Sequence, residues 1–361
     1  MIRIFQVLPS IAFGDAVSND ALAIHDLLRI KGYETQIYSE GICSKLQKER
    51  IINPLSHLPD LYSNDIILYH LAIGTEFNNI ISTLKCKKIA IYHNITPPEF
   101  FEDYSQLYVD LCKLGLDQVK KLNNTFDYVL ADSDFNKQDL VNMGFTAKIN
   151  VLPILIAFED YEKKPSKYIM KKYEDDFQNL IFVGRVAPNK KHEDLIRFYE
   201  AYKRNINPKS RLILVGSYEG MDLYKERLDN YIKALGVKDV IFTGKIPFSE
   251  ILAYYKVANL FMCTSEHEGF CVPLVEAMYF DVPIIAYNST AIPWTLGDSG
   301  VLMHRKDDMD WSLMINKLLT DFDYREQVLI KQRLQLQNFN KELVSEKLLN
   351  YLSLFVEQEF K

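Results

Sequence analysis

Leu260-Phe-Met-Cys-Thr-Ser-Glu-His-Glu268-Gly-Phe-Cys-Val-Pro273-Leu-Val-Glu276-Ala-Met-Tyr-Phe280 changes texture twice. Four apolar residues, Leu260–Cys263, read as a buried strand. A polar turn holding Glu268 and Gly269 follows. Leu274–Phe280 then reads as a helix, with Pro273 in the first turn, where its missing N–H is no loss. A strand feeding a helix through a glycine-containing turn is half of a βαβ unit, and the start of such a helix attracts anions.

The same pattern repeats on both sides. Upstream in the first half the strand candidates are Ile2–Leu8, Thr35–Tyr38, Asp65–His70, Lys88–His93, Asp127–Ala131 and Asn150–Pro153. The second half adds Leu180–Val183, Arg211–Val215, Val240–Phe242, Leu260–Cys263 and Ile284–Tyr287. Helical patterns lie between them; Ala21, Ile24, Leu27 and Leu28, for example, share one face. Such alternation predicts an α/β chain with two doubly wound, Rossmann-like domains. The boundaries expected are 1–157, a Lys-, Glu- and Tyr-rich connection over 158–178, a second domain over 179–340, and a final helix over 341–361 that packs back on the first domain. From about Met309 to Glu359 the pattern is helical without a strand.

The chain has 361 residues, with 48% hydrophobic and 25% charged residues, as in globular proteins of two domains. A net charge of -6 argues against a nucleic-acid partner. No apolar run reaches the roughly 18 residues of a membrane span. Gln6 and Pro9 interrupt the first apolar run, so no signal peptide is expected and the cytoplasm is the predicted compartment. The five cysteines form no CxxC pair, which supports neither a zinc site nor a disulfide framework.

Ligands of doubly wound sheets lie beyond the carboxyl ends of the strands, so the residues just after each strand are the candidates. After Leu180–Val183 stands Gly184-Arg185-Val-Ala-Pro-Asn-Lys190-Lys191. Arg185 and Lys190 are two fixed cations suited to a diphosphate leaving group, although a basic turn capped onto a helix has the same composition. After Leu260–Cys263, Glu268 and Glu276 flank an anion-binding turn. Each carboxylate can accept hydrogen bonds from two sugar hydroxyls; Glu276 alone also reads as a residue that favours a helix start.

Glu268-x7-Glu276, preceded by Gly184-Arg185-x4-Lys190, resembles the family 4 retaining glycosyltransferases of the GT-B fold, in which two Rossmann-like domains face a central cleft. The likeness covers most of Leu180–Met303 and is similar in detail to bacterial transferases that build surface polysaccharides such as O-antigen, often mannosyltransferases. The resemblance implies that Arg185 and Lys190 bind the donor diphosphate and that Glu268 holds donor-sugar hydroxyls. Gly269, Phe270 and Cys271 would present backbone N–H groups, Glu276 would bind the ribose, and Gly184, Gly244 and Ile246 would line the nucleotide pocket. Trp294 stands where the family more often has Glu after the proline, so its role stays open between ligand contact and packing.

In the first half, Gly14 follows the first strand, and His93-Asn94-Ile-Thr-Pro97 follows another; both strings resemble the family's local forms. The resemblance assigns Gly14 to the donor and His93 to a sugar hydroxyl or phosphate oxygen. His70 is a second candidate. Asp132-Ser-Asp134 has the spacing of a metal-binding pair in another glycosyltransferase fold, but Ser and Asp at a helix start are caps, and no metal is expected. The implied partners are a nucleotide-sugar donor that leaves GDP or UDP, with no further cofactor, and a glycan or lipid-linked acceptor, the latter requiring peripheral contact with the inner membrane. Rival expectations are a nucleotide-sugar epimerase, a non-catalytic sugar-nucleotide binder, and a dehydrogenase. The last lacks a Gly-x-Gly-x-x-Gly turn after the first strand.

Overall fold

The computed structural model describes residues 2–12, 14–44, 46 and 49–356. The chain divides into two compact units, the first made of Met1–Pro98, Leu107–Phe158 and Phe339–Lys361, the second of Glu99–Gln106 and Glu159–Asn338.

The first unit is built on a seven-stranded sheet of β1 (Arg3–Ile11), β2 (Glu34–Ile42), β3 (Ile52–Pro54), β4 (Ile66–Leu71), β5 (Lys87–Tyr92), β6 (Tyr128–Ala131) and β7 (Ile149–Val151). The order is β3-β2-β1-β4-β5-β6-β7, with every neighbouring pair parallel. β4 is buried along its whole length, as a strand covered on both faces must be. Alternate residues Ile66 and Leu68, Ile89 and Ile91, and Tyr128 and Leu130 turn to one face, where they pack with Ile24 and Leu28 of the helix Ala16–Ile30 and with Val344, Leu348 and Leu352 of the helix Lys341–Val356. The expected final helix over 341–361 thus contributes core to the first unit through Lys341–Val356; residues 357–361 lie outside the described residues.

The second unit holds β8 (Gln178–Val183), β9 (Ser210–Val215), β10 (Val240–Phe242), β11 (Leu260–Cys263), β12 (Ile284–Tyr287) and β13 (Val301–Met303). Their order is β10-β9-β8-β11-β12-β13, again parallel throughout. Phe198 and Trp311 stack at 4.4 Å between ring centroids in its core. Among the described residues no helix is long and apolar enough to cross a membrane.

The sequence reading misses β3 and β13. Each has three residues. The continuous helical pattern after Met309 is broken: the helix Asp308–Thr320 ends at Asp321, whose carboxylate caps the helix Phe322–Leu336. The division also differs from the expected one. The 158–178 connection is built into the second unit from Glu159 on, because Ser166 N–H donates to the Ser249 carbonyl and Tyr173 packs against Tyr254. Glu99–Gln106 joins that unit too: Tyr104 packs edge-on against Tyr224, and Arg227 donates to its hydroxyl.

Asp20 ties the helix Ala16–Ile30 to the chain after β7 by accepting the Leu155 N–H at 2.7 Å. Burial pushes its carboxyl up to about 7. A carboxyl raised in the folded state contributes stability below its unfolded value, near 4, and loses it as pH climbs through 7. Asp20→Asn keeps an acceptor oxygen and cannot ionise. By calorimetry it should unfold like the parent at pH 4 and at higher temperature than the parent at pH 8. An equal decline in both proteins would show that Asp20 does not set this slope.

Candidate active site of the second unit

β8 has β9 on one side and β11 on the other, so the chain's path reverses at the β8–β11 junction. The two loops that leave this junction carry Gly184–Lys191 and Thr264–Cys271. Gly184, at the end of β8, has φ 153, and Gly216, at the end of β9, has φ 152. A Cβ on Gly216 would stand 2.0 Å from the Gly184 carbonyl oxygen, so this close backbone approach requires glycine. Gly216 also bridges to Gly244, just past β10. Three neighbouring strands therefore end in glycine. Gly216 is absent from the sequence-based candidates, although it follows a strand as Gly184 does. Ile246 lies half-buried two residues past Gly244, ahead of the helix Phe248–Val257.

The two loops are laced together. Asn189 Nδ2 donates to the His267 carbonyl at 3.0 Å, and Glu266 N–H donates to the Asn189 carbonyl at 2.9 Å. Thr264 Oγ1 donates to the carbonyls of Lys190 and Lys191. The lacing brings Lys190 Nζ to 2.6 Å from Glu268 Oε2, and both side chains are largely covered, at 20% and 9% exposure. Burial works against the Lys190 charge, but the Glu268 carboxylate, with the Cys271 and Cys263 sulfurs, holds the ammonium above its ordinary range. An ammonium has three N–H donors, so this ion pair leaves Lys190 with capacity for a further anion.

Glu268 N–H donates to Thr290 Oγ1 at 2.9 Å, which fixes the backbone just before Gly269. Phe270 is buried, its carbonyl accepts from Thr295, and its ring lies 5.9 Å from that of Trp294. Trp294 thus supports the loop by packing. Cys271, at φ 71, caps the helix Val272–Tyr279. Lys191 holds Glu266 at 3.2 Å, and its ammonium lies 5.8 Å from the ring of Phe100. Phe100 packs on His267. It comes from the excursion Glu99–Gln106. Arg185, half-buried, donates to the Glu219 carbonyl at 3.1 Å.

Glu276 differs from the sequence reading. The helix starts at Val272, with no acidic residue in its first turn. The Glu276 carboxylate instead accepts from Tyr161 at 3.0 Å and from Tyr255 at 2.6 Å. Burial raises its pKa against the pull of those two hydroxyls. Both tyrosines escape a sequence reading because neither is near Glu276 in the chain.

In the first unit Gly14 is exposed at φ 77, beside Asp15, which caps the helix Ala16–Ile30. His93 follows β5, but its ring turns inward: Nδ1 lies 2.8 Å from Asp132 Oδ2 and Nε2 lies 2.8 Å from His70 Nδ1. Its side chain is 2% exposed. The expected bond from this ring to a sugar is therefore not available in the present arrangement, because both ring nitrogens are already engaged. Asp132 and Asp134 do not act as a pair. Ser133 caps the helix Asp134–Asn142, Asp134 is exposed, and Asp132 is buried against His93.

The profile of the family described as Glycosyl transferases group 1 matches residues 167–334. The second unit carries a group 1 glycosyltransferase domain. That domain, which contains both laced loops, makes the chain an enzyme of the glycosyltransferase class. The chain is 25% identical to O-antigen chain mannosyltransferase B of Escherichia coli over 272 residues, 71% of this chain and 67% of that one. It is 25% identical to the serotype-specific mannosyltransferase WbdA of Escherichia coli over 203 residues, 54% of this chain and 25% of that one. It therefore spans two thirds of the first relative and a quarter of the second. The crystal structure of HepE from Anabaena in complex with UDP-glucose superimposes with a TM-score of 0.75 at 18% identity, covering 97% of this chain and 99% of that one. The two parallel-sheet units have the GT-B fold of such neighbours. The group 1 domain contains every candidate of the sequence reading except Gly14, His70 and His93.

Proposed function

We propose that the chain is a retaining, family 4 hexosyltransferase that moves a sugar from a nucleotide sugar to a hydroxyl of a glycan or lipid-linked acceptor in surface polysaccharide synthesis. The observation that carries this reading is the Lys190–Glu268 pair at the β8–β11 junction. It joins a cation for a diphosphate to a carboxylate for sugar hydroxyls across two laced loops. The reading is a front-face substitution rather than a double displacement through a second carboxylate. The acceptor hydroxyl enters as the diphosphate departs, and the departing phosphate oxygen takes its proton. Arg185 and Lys190 stabilise the growing negative charge and do so without a metal. Gly184, Gly244 and Ile246 belong to the nucleotide, Gly269, Phe270 and Cys271 to the phosphates, and Glu276 to the ribose. Gly14 and the His93 turn are assigned to the same reaction.

GDP-mannose is the first donor to test, because the O-antigen relatives are mannosyltransferases. A UDP-hexose is the second reading, favoured by the UDP-glucose complex of HepE. A donor that binds only the folded chain raises its melting temperature by mass action. A panel of GDP- and UDP-sugars should give one base with a clear shift, and no shift with any of them would sink the reading. Arg185→Ala should lower kcat/KM by about 30- to 1000-fold, the scale of roughly 2–4 kcal/mol for one anion-stabilising donor. Near-normal turnover at saturating donor would remove Arg185 from the mechanism. The cytoplasm, with peripheral approach to the inner membrane for a lipid-linked acceptor, is the proposed location.

A further inference from the structure

Gln6, His70, His93 and Asp132 come from or just follow β1, β4, β5 and β6, four strands that lie side by side. They form one unbroken row of hydrogen bonds under the carboxyl edge of the first unit's sheet. The direction of each bond follows from the one before it. Gln6 Nε2 donates to the Ala21 carbonyl at 2.9 Å, so the other end of that amide, Oε1, is an acceptor. His70 Nε2 lies 2.9 Å from Gln6 Oε1 and must carry a proton to donate there. A neutral His70 then has a lone pair on Nδ1, which faces His93 Nε2 at 2.8 Å. His93 Nε2 must therefore be the donor. At the far end His93 Nδ1 faces the Asp132 carboxylate at 2.8 Å, which accepts. Both nitrogens of His93 donate, so its ring is charged.

The ring geometry agrees. The two imidazoles are coplanar within 1°, with centroids 5.1 Å apart, so they lie end to end with the facing nitrogens on one line. That is the geometry of a shared proton. A cation held by His70, His93 and nearby Asp20 would need lone pairs that converge on a common point, as in a tetrahedral site; these point at each other. The charged groups that act on His93 are Asp132 beyond β6, Asp20 on the helix Ala16–Ile30, and Asp15 at its cap. Against burial, these carboxylates hold His93 above its ordinary range, while burial and His93 hold His70 well below its own.

We infer that Gln6 and His70 are positioning residues that keep His93 an imidazolium at neutral pH and so fix the His93–Asn94 turn for glycosyl transfer. His93 as a whole is half-buried while its side chain is 2% exposed, so its main chain is the part that meets solvent. Asn94 continues the turn at φ 74 and donates to Asn136 at 3.0 Å. A ligand reaching this turn would therefore meet its backbone, with the charged ring beneath and inside. The part this plays in catalysis rests on the transferase reading above; the protonation of His93 does not.

The test is imidazole nitrogen NMR on the full chain at pH 8, with three variants. In the parent, both His93 nitrogens should carry protons, and His70 only its Nε2. His70→Gln can accept from His93 and donate to Gln6, so it should preserve the doubly protonated His93. His70→Leu removes the acceptor, so His93 should lose its Nε2 proton. Gln6→Glu, of equal size, should draw a second proton onto His70, turn His70 Nδ1 into a donor, and strip Nε2 of His93. In the transferase assay, His70→Leu should move the alkaline limb of the pH–rate profile down by a unit or more, with His70→Gln restoring it. A singly protonated His93 in the parent, or one indifferent to both His70→Leu and Gln6→Glu, overturns the inference. If no donor is turned over, the transferase reading fails, and the NMR result still decides the relay.

Discussion

Glu268→Gln should leave a folded protein with kcat/KM about a thousandfold below the parent. The substitution conserves shape and removes the charge that faces Lys190 Nζ at 2.6 Å. Breaking one side of a covered ion pair costs about 3–5 kcal/mol, because the remaining charge is left unbalanced away from water. In an enzyme whose leaving group is a diphosphate, that cost falls on the step in which Lys190 must meet new negative charge, and 1.4 kcal/mol is a factor of about ten in rate. The same change also replaces an acceptor of two hydroxyls by an amide with a single acceptor oxygen. Lys190→Ala alone should lose a similar factor, and the double variant little more, because residues that act as one unit are not additive. Steady-state kinetics on the four proteins check this. Additive losses would show that Glu268 and Lys190 work separately.

Glu276 calls for two variants. Glu276→Leu removes the acceptor shared by the hydroxyls of Tyr161 and Tyr255, leaving Tyr255 the longer bond to the Pro273 carbonyl at 3.4 Å, and a buried hydroxyl bond lost costs about 1–3 kcal/mol. The melting temperature should fall clearly, and the donor KM should rise about 10- to 100-fold as its ribose loses a two-oxygen partner. Glu276→Gln keeps one acceptor oxygen for the tyrosines, so its stability should be near that of the parent while the donor KM still rises. A normal KM in Glu276→Gln would make the carboxylate a purely structural acceptor.

The parts of this molecule that a linear reading reaches are the local ones. Leu260–Cys263 and Ile284–Tyr287 match β11 and β12 residue for residue because a covered parallel strand is a closed apolar run between turn residues. The loops after β8 and β11 follow from the strands that precede them, and the Ser133 cap is a signal within three residues. What stays hidden is set by distance along the chain. Tyr161 reaches Glu276 across 115 residues, and Gln6 reaches His70 across 64. Nothing near Tyr161 marks it as different from the other tyrosines around it. His70 and His93 were each visible as a residue after a strand, but only strand adjacency turns them into a pair that consumes its own ring nitrogens.

The core of the first unit includes Val344, Leu348 and Leu352, while residues 159–338 belong to the other unit. A ribosome delivers the chain in one direction. The second unit is therefore complete, and free to fold, before the helix that finishes the core of the first has been made. Seven strands made before it must wait with that apolar face covered only in part, by the helix Ala16–Ile30, until the late helix arrives. Premature termination just after residue 338 would then spare the unit that carries the chemistry and strand the one translated first, leaving a nascent protein that depends on chaperones at its oldest end.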